Sequence, residues 1–316
     1  MEKNQKFIII GTNDKLWNCQ DLVEYLVKNQ HQHISLKINP EAICLDTLGV
    51  YQLLDSFQFK QVDIYTYNQL EKHNKYNIVI DQSNEFLEEK LIIPDTLHVW
   101  DQSKIFLTLY GRPTANRLGI ASHLLTHHAA SSLIHFSFGN TCDDLPFYEL
   151  EKLLQYDQNS VEKVSRLITN MPMAQAPTNG YSKKHYNFAD ALTQLYQHVF
   201  IDIVSETHVW GNTFFATEKT TRPIHLKKPF IIFGSRDYLD YLHQMGFKTF
   251  NDFWSENYDG FEARNRYIRI LELIDELSKK SKKELQEMYQ AMQPILDHNY
   301  NLLQTQSYNK TITKIT

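Results

Sequence analysis

The chain has 316 residues, of which 42% are hydrophobic and 22% charged, enough to bury sizeable cores and to exclude global disorder. Its formal net charge is −5 and its pI about 6.3, a balance that speaks against a protein whose main task is to grip duplex backbone with a basic face. Ten glycines are too few for a repeat protein or a glycine-fingerprint dinucleotide enzyme, and the three cysteines, Cys19, Cys44 and Cys142, lie far apart with no CxxC pair. That usage fits a reducing compartment and no structural zinc.

Lys6 to Ile10 is a continuous apolar run, as expected of a buried parallel strand, and Gly11 to Asp14 follows as a turn. No basic start leads into a long apolar segment, and runs such as Phe7 to Ile10 are too short to cross a bilayer. The expectation is a chain with no membrane span, placed in the cytoplasm. Asp21 to Val27 carries helical spacing, His33 to Ile38 alternates like a strand, and Leu48 to Phe57 reads as a helix. Val62 to Thr66 and Tyr76 to Ile80 read as strands. This alternation predicts an α/β unit with a mostly parallel sheet. Asp81 closes the last of those strands, where ligands of open α/β sheets bind, so it is a candidate general base. Its plainer reading is a turn residue capping a helix from Ser83 to Glu89, and Glu85 is a weaker candidate.

A second strand-loop-helix opening follows, with a domain boundary near residue 101. Lys104 to Tyr110 is a strong strand and Leu118 to Leu125 a helical face. Arg112 and Arg117 flank the helix start, where a guanidinium can fork onto phosphate oxygens beside the helix dipole. The plainer reading is a surface arginine paired with an acid. His127 and His128 are adjacent and should point apart on a helix, which argues against a metal pair; Asp143-Asp144 reads as a helix start before Leu145. Ser131 to Phe138 is strand-like, Leu145 to Leu154 and Val161 to Leu167 helical, and Met171 to Tyr181 a long Pro- and Gly-containing loop of the kind that covers sites. Ala189 to His198 predicts a helix leading into the strand Phe200 to Val204.

Beyond that strand lie Glu206, His208, Trp210 and Asn212, then Thr217 as a natural N-cap that sets Glu218 and Lys219 in the first helical turn. Pro223 is expected to end or kink this helix. Pro229 to Phe233 is a buried strand, Asp237 to Met245 an amphipathic helix closed by Gly246, and Lys248 to Trp254 a short strand or turn. Phe261 to Leu277 is a long helix that continues from Ser278 to Leu303 and is long enough to reach back to the first unit.

No G-x-S-x-G, P-loop or H-E-x-x-H motif occurs, which removes the common hydrolase, nucleotide-triphosphatase and zinc-protease chemistries. The remaining inventory suits a diphosphate. Lys219 and Arg117 would neutralise it, and Glu218 would accept two ribose hydroxyls.

Thr217-Glu218-Lys219, followed by Arg222-Pro223-Ile224 and Pro229-Phe230-Ile231-Ile232, resembles the C-terminal donor motif of fucosyltransferase-like and exostosin-like glycosyltransferases. Leu107-Thr108-Leu109 with Arg117 is similar to that family's second donor motif, with Arg112 as an extra cation. Gly246 to Phe250 and Glu256 to Asp259 look like the end of this domain in phage and bacterial members. The similarity spans roughly residues 104 to 275. It implies two Rossmann-like domains facing across a cleft (GT-B) with a long C-terminal helical segment: an acceptor-side domain over 1–100, a donor domain over 101–277, and a helix and tail over 278–316. It further implies metal-independent, inverting transfer of a hexose or pentose from a nucleoside-diphosphate sugar (UDP or GDP), a co-substrate rather than a bound cofactor. Glu218 would hold the ribose, and Lys219 and Arg117 the diphosphate. Arg112, Thr217 and Glu206 complete the donor set. The acceptor would be a glycan or a hydroxymethylated DNA base, in a bacterial or phage-infected cytoplasm. The first domain carries no family motif, so acceptor and base are not transferred, and the loop from Glu206 to Phe215 departs from the fucosyltransferase pattern. The alternative is a non-catalytic nucleotide- or glycan-binding module on the same scaffold.

Overall fold

The structure is a computed structural model, and it describes residues 6–9, 20–38, 42–81, 87, 98–110, 115–136 and 195–305. The helix at 83–89 (but for Leu87), the loop residues 111–114 with Arg112, the Asp143-Asp144 pair, the helices 145–154 and 161–167 and the loop 171–181 fall outside them, as do Glu85 and the turn 11–14.

Strands β1 (Lys6–Ile9), β2 (His33–Ile38), β3 (Gln61–Thr66) and β4 (Asn77–Ile80) form one parallel sheet in simple sequential order. Helices α1 (Gln20–Lys28) and α2 (Val50–Asp55) carry the first two crossovers. Every step moves the same way across the sheet, so right-handed crossovers place these helices on one face. The core beneath them joins Leu22 and Leu26 to Ile34, Leu36, Val50, Leu54, Val62 and Ile64.

The second parallel sheet is wound in both directions. Strands β5 (Phe106–Tyr110), β6 (Ser132–Phe136), β7 (Ile201–Ser205) and β8 (Phe230–Phe233) lie in the order β6-β5-β7-β8. From β5 the chain leaves through α3 (Ala115–His127) to β6 on one side; from β7 it leaves through α4 (Glu218–His225) to β8 on the other. The crevice where neighbouring strands diverge lies between the carboxyl ends of β5 and β7, the place where open α/β sheets bind ligands. β5, β7 and β8 are buried along their whole length, which is why FLTLY, IDIVS and FIIF read as apolar runs and not as alternating ones. This second core already takes in Leu87 and Trp100, ahead of residue 101.

Three local expectations are corrected and one is narrowed. Pro223 does not end its helix, which runs on to His225. Thr220 to His225 are all buried, and Leu226 N–H bonds Arg222 C=O while Lys228 N–H bonds Pro223 C=O, so the last turn closes without the missing proline N–H. Of the two forms expected for Lys248 to Trp254, a short strand or a turn, the structure has the turn, over residues 251–253. The long helix breaks after α6 (Ala263–Ser278) and restarts as α7 (Lys282–Thr305). Ser281 and Glu284 form a reciprocal capping box there, Ser281 N–H donating to Glu284 Oε2 at 2.7 Å and Glu284 N–H to Ser281 Oγ at 3.2 Å. Nor does α7 reach back to the first sheet in its described contacts. It buries Leu285, Tyr289, Met292, Leu296 and Leu303 in the second core, and Asn299 brackets the Lys248 backbone with two 2.8 Å hydrogen bonds.

The turn at 249–256 carries a pH signature. Glu256 is buried and accepts hydrogen bonds from Thr249 Oγ1 (2.5 Å) and Phe250 N–H (2.9 Å), yet burial outweighs both and pushes its carboxyl up to about 7. The folded state therefore holds this proton more tightly than the unfolded chain. Its contribution is complete below the unfolded value near 4.5 and is lost as pH rises through about 7, a swing of roughly 3 kcal/mol. Urea denaturation of wild type and Glu256→Gln across pH 4 to 8 should show their stability difference falling in wild type's disfavour as pH rises; a difference flat with pH would contradict the assignment.

Candidate functional site

The carboxyl ends of β7 and β8 frame a small cleft lined by Glu206, Thr207, His208, Thr213, Phe214, Phe215, Thr217, Ser235 and Tyr238. Its floor is a buried carboxylate. Glu206 Oε2 accepts from Thr217 Oγ1 at 2.7 Å, and Oε1 from Thr220 Oγ1 at 2.6 Å and Tyr238 Oη at 3.1 Å. Three hydroxyls from the start of α4 and from α5 (Tyr238–Gln244) thus converge on one acid. This answers how a carboxylate 3% exposed is tolerated: its lone pairs are filled by short, charge-assisted bonds.

Thr217 is the N-cap of α4, accepting from Lys219 N–H at 3.2 Å, so Glu218 and Lys219 do occupy the first turn. They pair with each other: Lys219 Nζ lies 2.7 Å from Glu218 Oε1 and 3.2 Å from Thr217 Oγ1. Thr217 lines the cleft and Lys219 does not; the ammonium meets the cleft wall only through Thr217 Oγ1. Glu218 is not a lining residue; Glu206 is.

Arg117 is placed differently from the expectation. It is 2% exposed, and its Nε and Nη2 donate to Ser205 C=O at 3.3 and 3.1 Å, with Nη2 also 3.4 Å from Thr207 Oγ1. The helix start after β5 puts it at the crevice, but it points along the end of β7 and fixes the loop that leaves it. The neighbouring Asn116 donates to Ser205 Oγ at 2.6 Å. Arg112 lies outside the described residues.

That loop, 206–217, is fastened from every side. Arg266 on α6 donates to Val209 C=O at 2.8 Å, and Ser235 Oγ to Thr213 C=O. The first sheet supplies the remaining ties. Thr213 Oγ1 donates to Ala42 C=O, and Gln69 N–H to Phe214 C=O at 3.2 Å. Asn68, fully buried in the β3–β4 turn, donates to Asn212 C=O (2.9 Å) and Glu71 Oε2 (2.9 Å) and accepts from Phe214 N–H and Leu70 N–H (both 3.1 Å). Gly211 sits at φ +74° with its Cα pressed on the first unit; a Cβ there would stand 2.4 Å from Thr47 Oγ1 and 2.7 Å from Cys44 Cβ.

Asp81 follows β4, its N–H bonded to Thr66 C=O at 2.7 Å, and its carboxylate is 3.7 Å from Lys37 Nζ. Lys37 lies over the Tyr67 ring, which in turn packs on Phe215 of the cleft. The acid is thus connected to the cleft through a cation and two rings, and does not line it.

Sequence reading missed Tyr238, Thr220 and Thr213. For Tyr238 and Thr220 the only signal was position, a hydroxyl in the first turn of a helix after a strand end; Thr213, in the loop, carried none. His127 and His128 do not face each other as a pair. His128 instead converges with His123 on Asp275, at 2.6 and 2.8 Å from the same Oδ1. No protein-family model matches the sequence, and no curated protein and no solved structure is significantly similar to it. None of the described helices is long and apolar enough to cross a membrane.

Proposed function

We propose that the protein is a glycosyltransferase that takes a sugar from a nucleoside-diphosphate donor, with the donor bound at the carboxyl ends of β5, β7 and β8. The observation that carries this reading is the cleft at the carboxyl ends of β7 and β8, with the buried Glu206 carboxylate in its lining and the first turn of α4, which carries Lys219, starting at its Thr217 wall. As it stands the cleft has room for about one water molecule, far short of the roughly 300–1,000 Å³ of small-molecule sites, so donor binding requires it to open. The hydroxyl-bearing walls, Thr217 and Tyr238 held by Glu206, suit the ribose or sugar; the N-terminus of α4 and Lys219 suit the phosphates. In this reading Glu206 acts by orienting those hydroxyls, and Arg117 acts by holding the loop and not by touching phosphate. The first sheet, fastened to the cleft loop, would form the opposite, acceptor-side wall of a GT-B arrangement, and the acceptor would be a glycan or a hydroxymethylated DNA base.

One observation favours the non-catalytic alternative: among the described residues no carboxylate of the first sheet lines the cleft, and Asp81 is engaged with Lys37. Isothermal titration with UDP and GDP separates the possibilities. Lys219→Ala should weaken diphosphate binding by about 2 kcal/mol, roughly 30-fold in Kd. Equal affinity in wild type and variant, or no binding of either nucleotide to wild type, would sink the donor site. Binding without any release of UDP or GDP from the corresponding nucleotide-sugars, with or without acceptor, would favour a binding module.

A further inference from the structure

His123 lies one turn before the end of α3. The helix ends at His127, and at His128 the backbone leaves helical geometry (φ −134°, ψ 24°), which swings the second imidazole round to the side of the first. Asp275 comes from the last turns of α6, about 150 residues further along the chain. Both Nε2 atoms reach the same carboxylate oxygen, and the three ligand atoms all lie within 4.8 Å of one another. The two imidazoles are only 15% and 13% exposed, while Asp275 at 41% keeps one side open to solvent.

Two imidazole nitrogens and a carboxylate oxygen are a donor set for a borderline divalent metal, zinc above all. Zinc bonds of roughly 2.0–2.2 Å put tetrahedral ligands about 3.4 Å apart, so the present nitrogen–oxygen spacings need to open by less than about 1 Å. The surroundings are already fixed. The His128 carbonyl accepts from Ser131 N–H at 3.0 Å and Ser132 Oγ at 2.8 Å, and the Phe106 ring packs beside its imidazole. α3 starts at the carboxyl end of β5 and ends beside the start of β6, so this cluster lies at the opposite edge of the sheet from the cleft.

We propose that His123, His128 and Asp275 form a structural site for a divalent transition metal, zinc being the best fit, which clips α3 to α6 at the sheet edge away from the cleft. Solvent completes the coordination on the open side of Asp275. The neighbouring His127, whose ring centroid is 4.8 Å from that of His123, is exposed and not a ligand.

The test uses the full chain after treatment with chelator. Zn²⁺ titrated by calorimetry should bind at one equivalent, and Co²⁺ should give the intense visible absorption of a four-coordinate site. At metal about 100-fold above Kd the Tm should rise by about 5 °C and fall back on chelation. Asp275→Asn and His128→Asn should each weaken binding by at least 10-fold and abolish the Co²⁺ band, while His127→Gln leaves both intact. Wild type is its own control if a variant fails to fold: no Co²⁺ band and no chelator-reversible Tm shift would overturn the site. Loss of binding in His127→Gln with retention in Asp275→Asn would overturn it equally, by moving the metal to the surface pair His123 and His127.

Discussion

Arg222→Ala should lower the stability of the protein by about 3–5 kcal/mol, because it strands a charge in the centre of the second sheet. Asp202, the second residue of the buried run of β7, has no exposed surface. Tyr196 donates to its Oδ2, Arg222 Nε donates to the Tyr196 oxygen at 2.6 Å, and Arg222 Nη2 lies 3.6 Å from the same Oδ2. Burial pushes the Asp202 carboxyl up; the Arg222 charge is the chief force opposing it. Removing the arginine leaves only Tyr196 as partner, since Oδ1 has no hydrogen bond among the described residues. The sign of the pH dependence follows. A carboxyl whose folded pKa is raised stabilises below its unfolded value and costs stability as pH climbs through the folded one. The deficit of Arg222→Ala should therefore be largest at alkaline pH and shrink as Asp202 takes up its proton. Urea denaturation at pH 8 and pH 5 measures both. A loss under about 1 kcal/mol at pH 8 would show that Asp202 does not depend on this partner, and pairing Arg222→Met with Asp202→Asn should recover much of the loss.

Asn68→Ala should cost about 4 kcal/mol and loosen the cleft loop in particular. The amide uses all four of its hydrogen-bonding positions, and two of them reach the cleft loop at Asn212 and Phe214. Truncation leaves the Phe214 N–H and the Asn212 and Glu71 oxygens short of a partner, at roughly 1–3 kcal/mol for each that stays buried. Asn68→Asp should be worse still, because it replaces the donor facing Glu71 Oε2 with a second carboxylate at 2.9 Å. Native-state hydrogen exchange at the Phe214 amide separates this from general destabilisation. Its protection should fall by more than the change in global stability accounts for; equal losses would mean the loop does not hang on Asn68.

Parallel strands and amphipathic helices were legible because burial on both faces writes itself as continuous apolar runs: FLTLY, FIIF and the Thr217 cap all lie where the residues point. The capping box at Ser281 and Glu284 was equally readable and was passed over in favour of an unbroken helix. Pro223 misled because a local rule was applied where tertiary burial decides. The sites were legible only in part. Glu206, Thr217 and Lys219 come together because they are near in sequence, at one strand end and one helix start. Tyr238, Asn68 and Asp275 enter from elements tens to hundreds of residues away, and no spacing rule connects them. Arg117 shows the opposite failure: a guanidinium at a helix start has the chemistry of a phosphate ligand, and only its burial against Ser205 reveals that backbone carbonyls have claimed it.

Thr213, Phe214 and Phe215 are at once a wall of the cleft and the strap by which the first sheet is held. Occupancy and docking are therefore not independent variables. Any molecule that binds more tightly when the strap is fastened must make the fastening tighter by the same factor, so a tenfold preference is worth about 1.4 kcal/mol in either direction. A substitution at Asn68 or Gly211, outside the cleft and touching nothing that enters it, then acts as an allosteric mutation, and its effect on affinity can be forecast from its effect on docking alone.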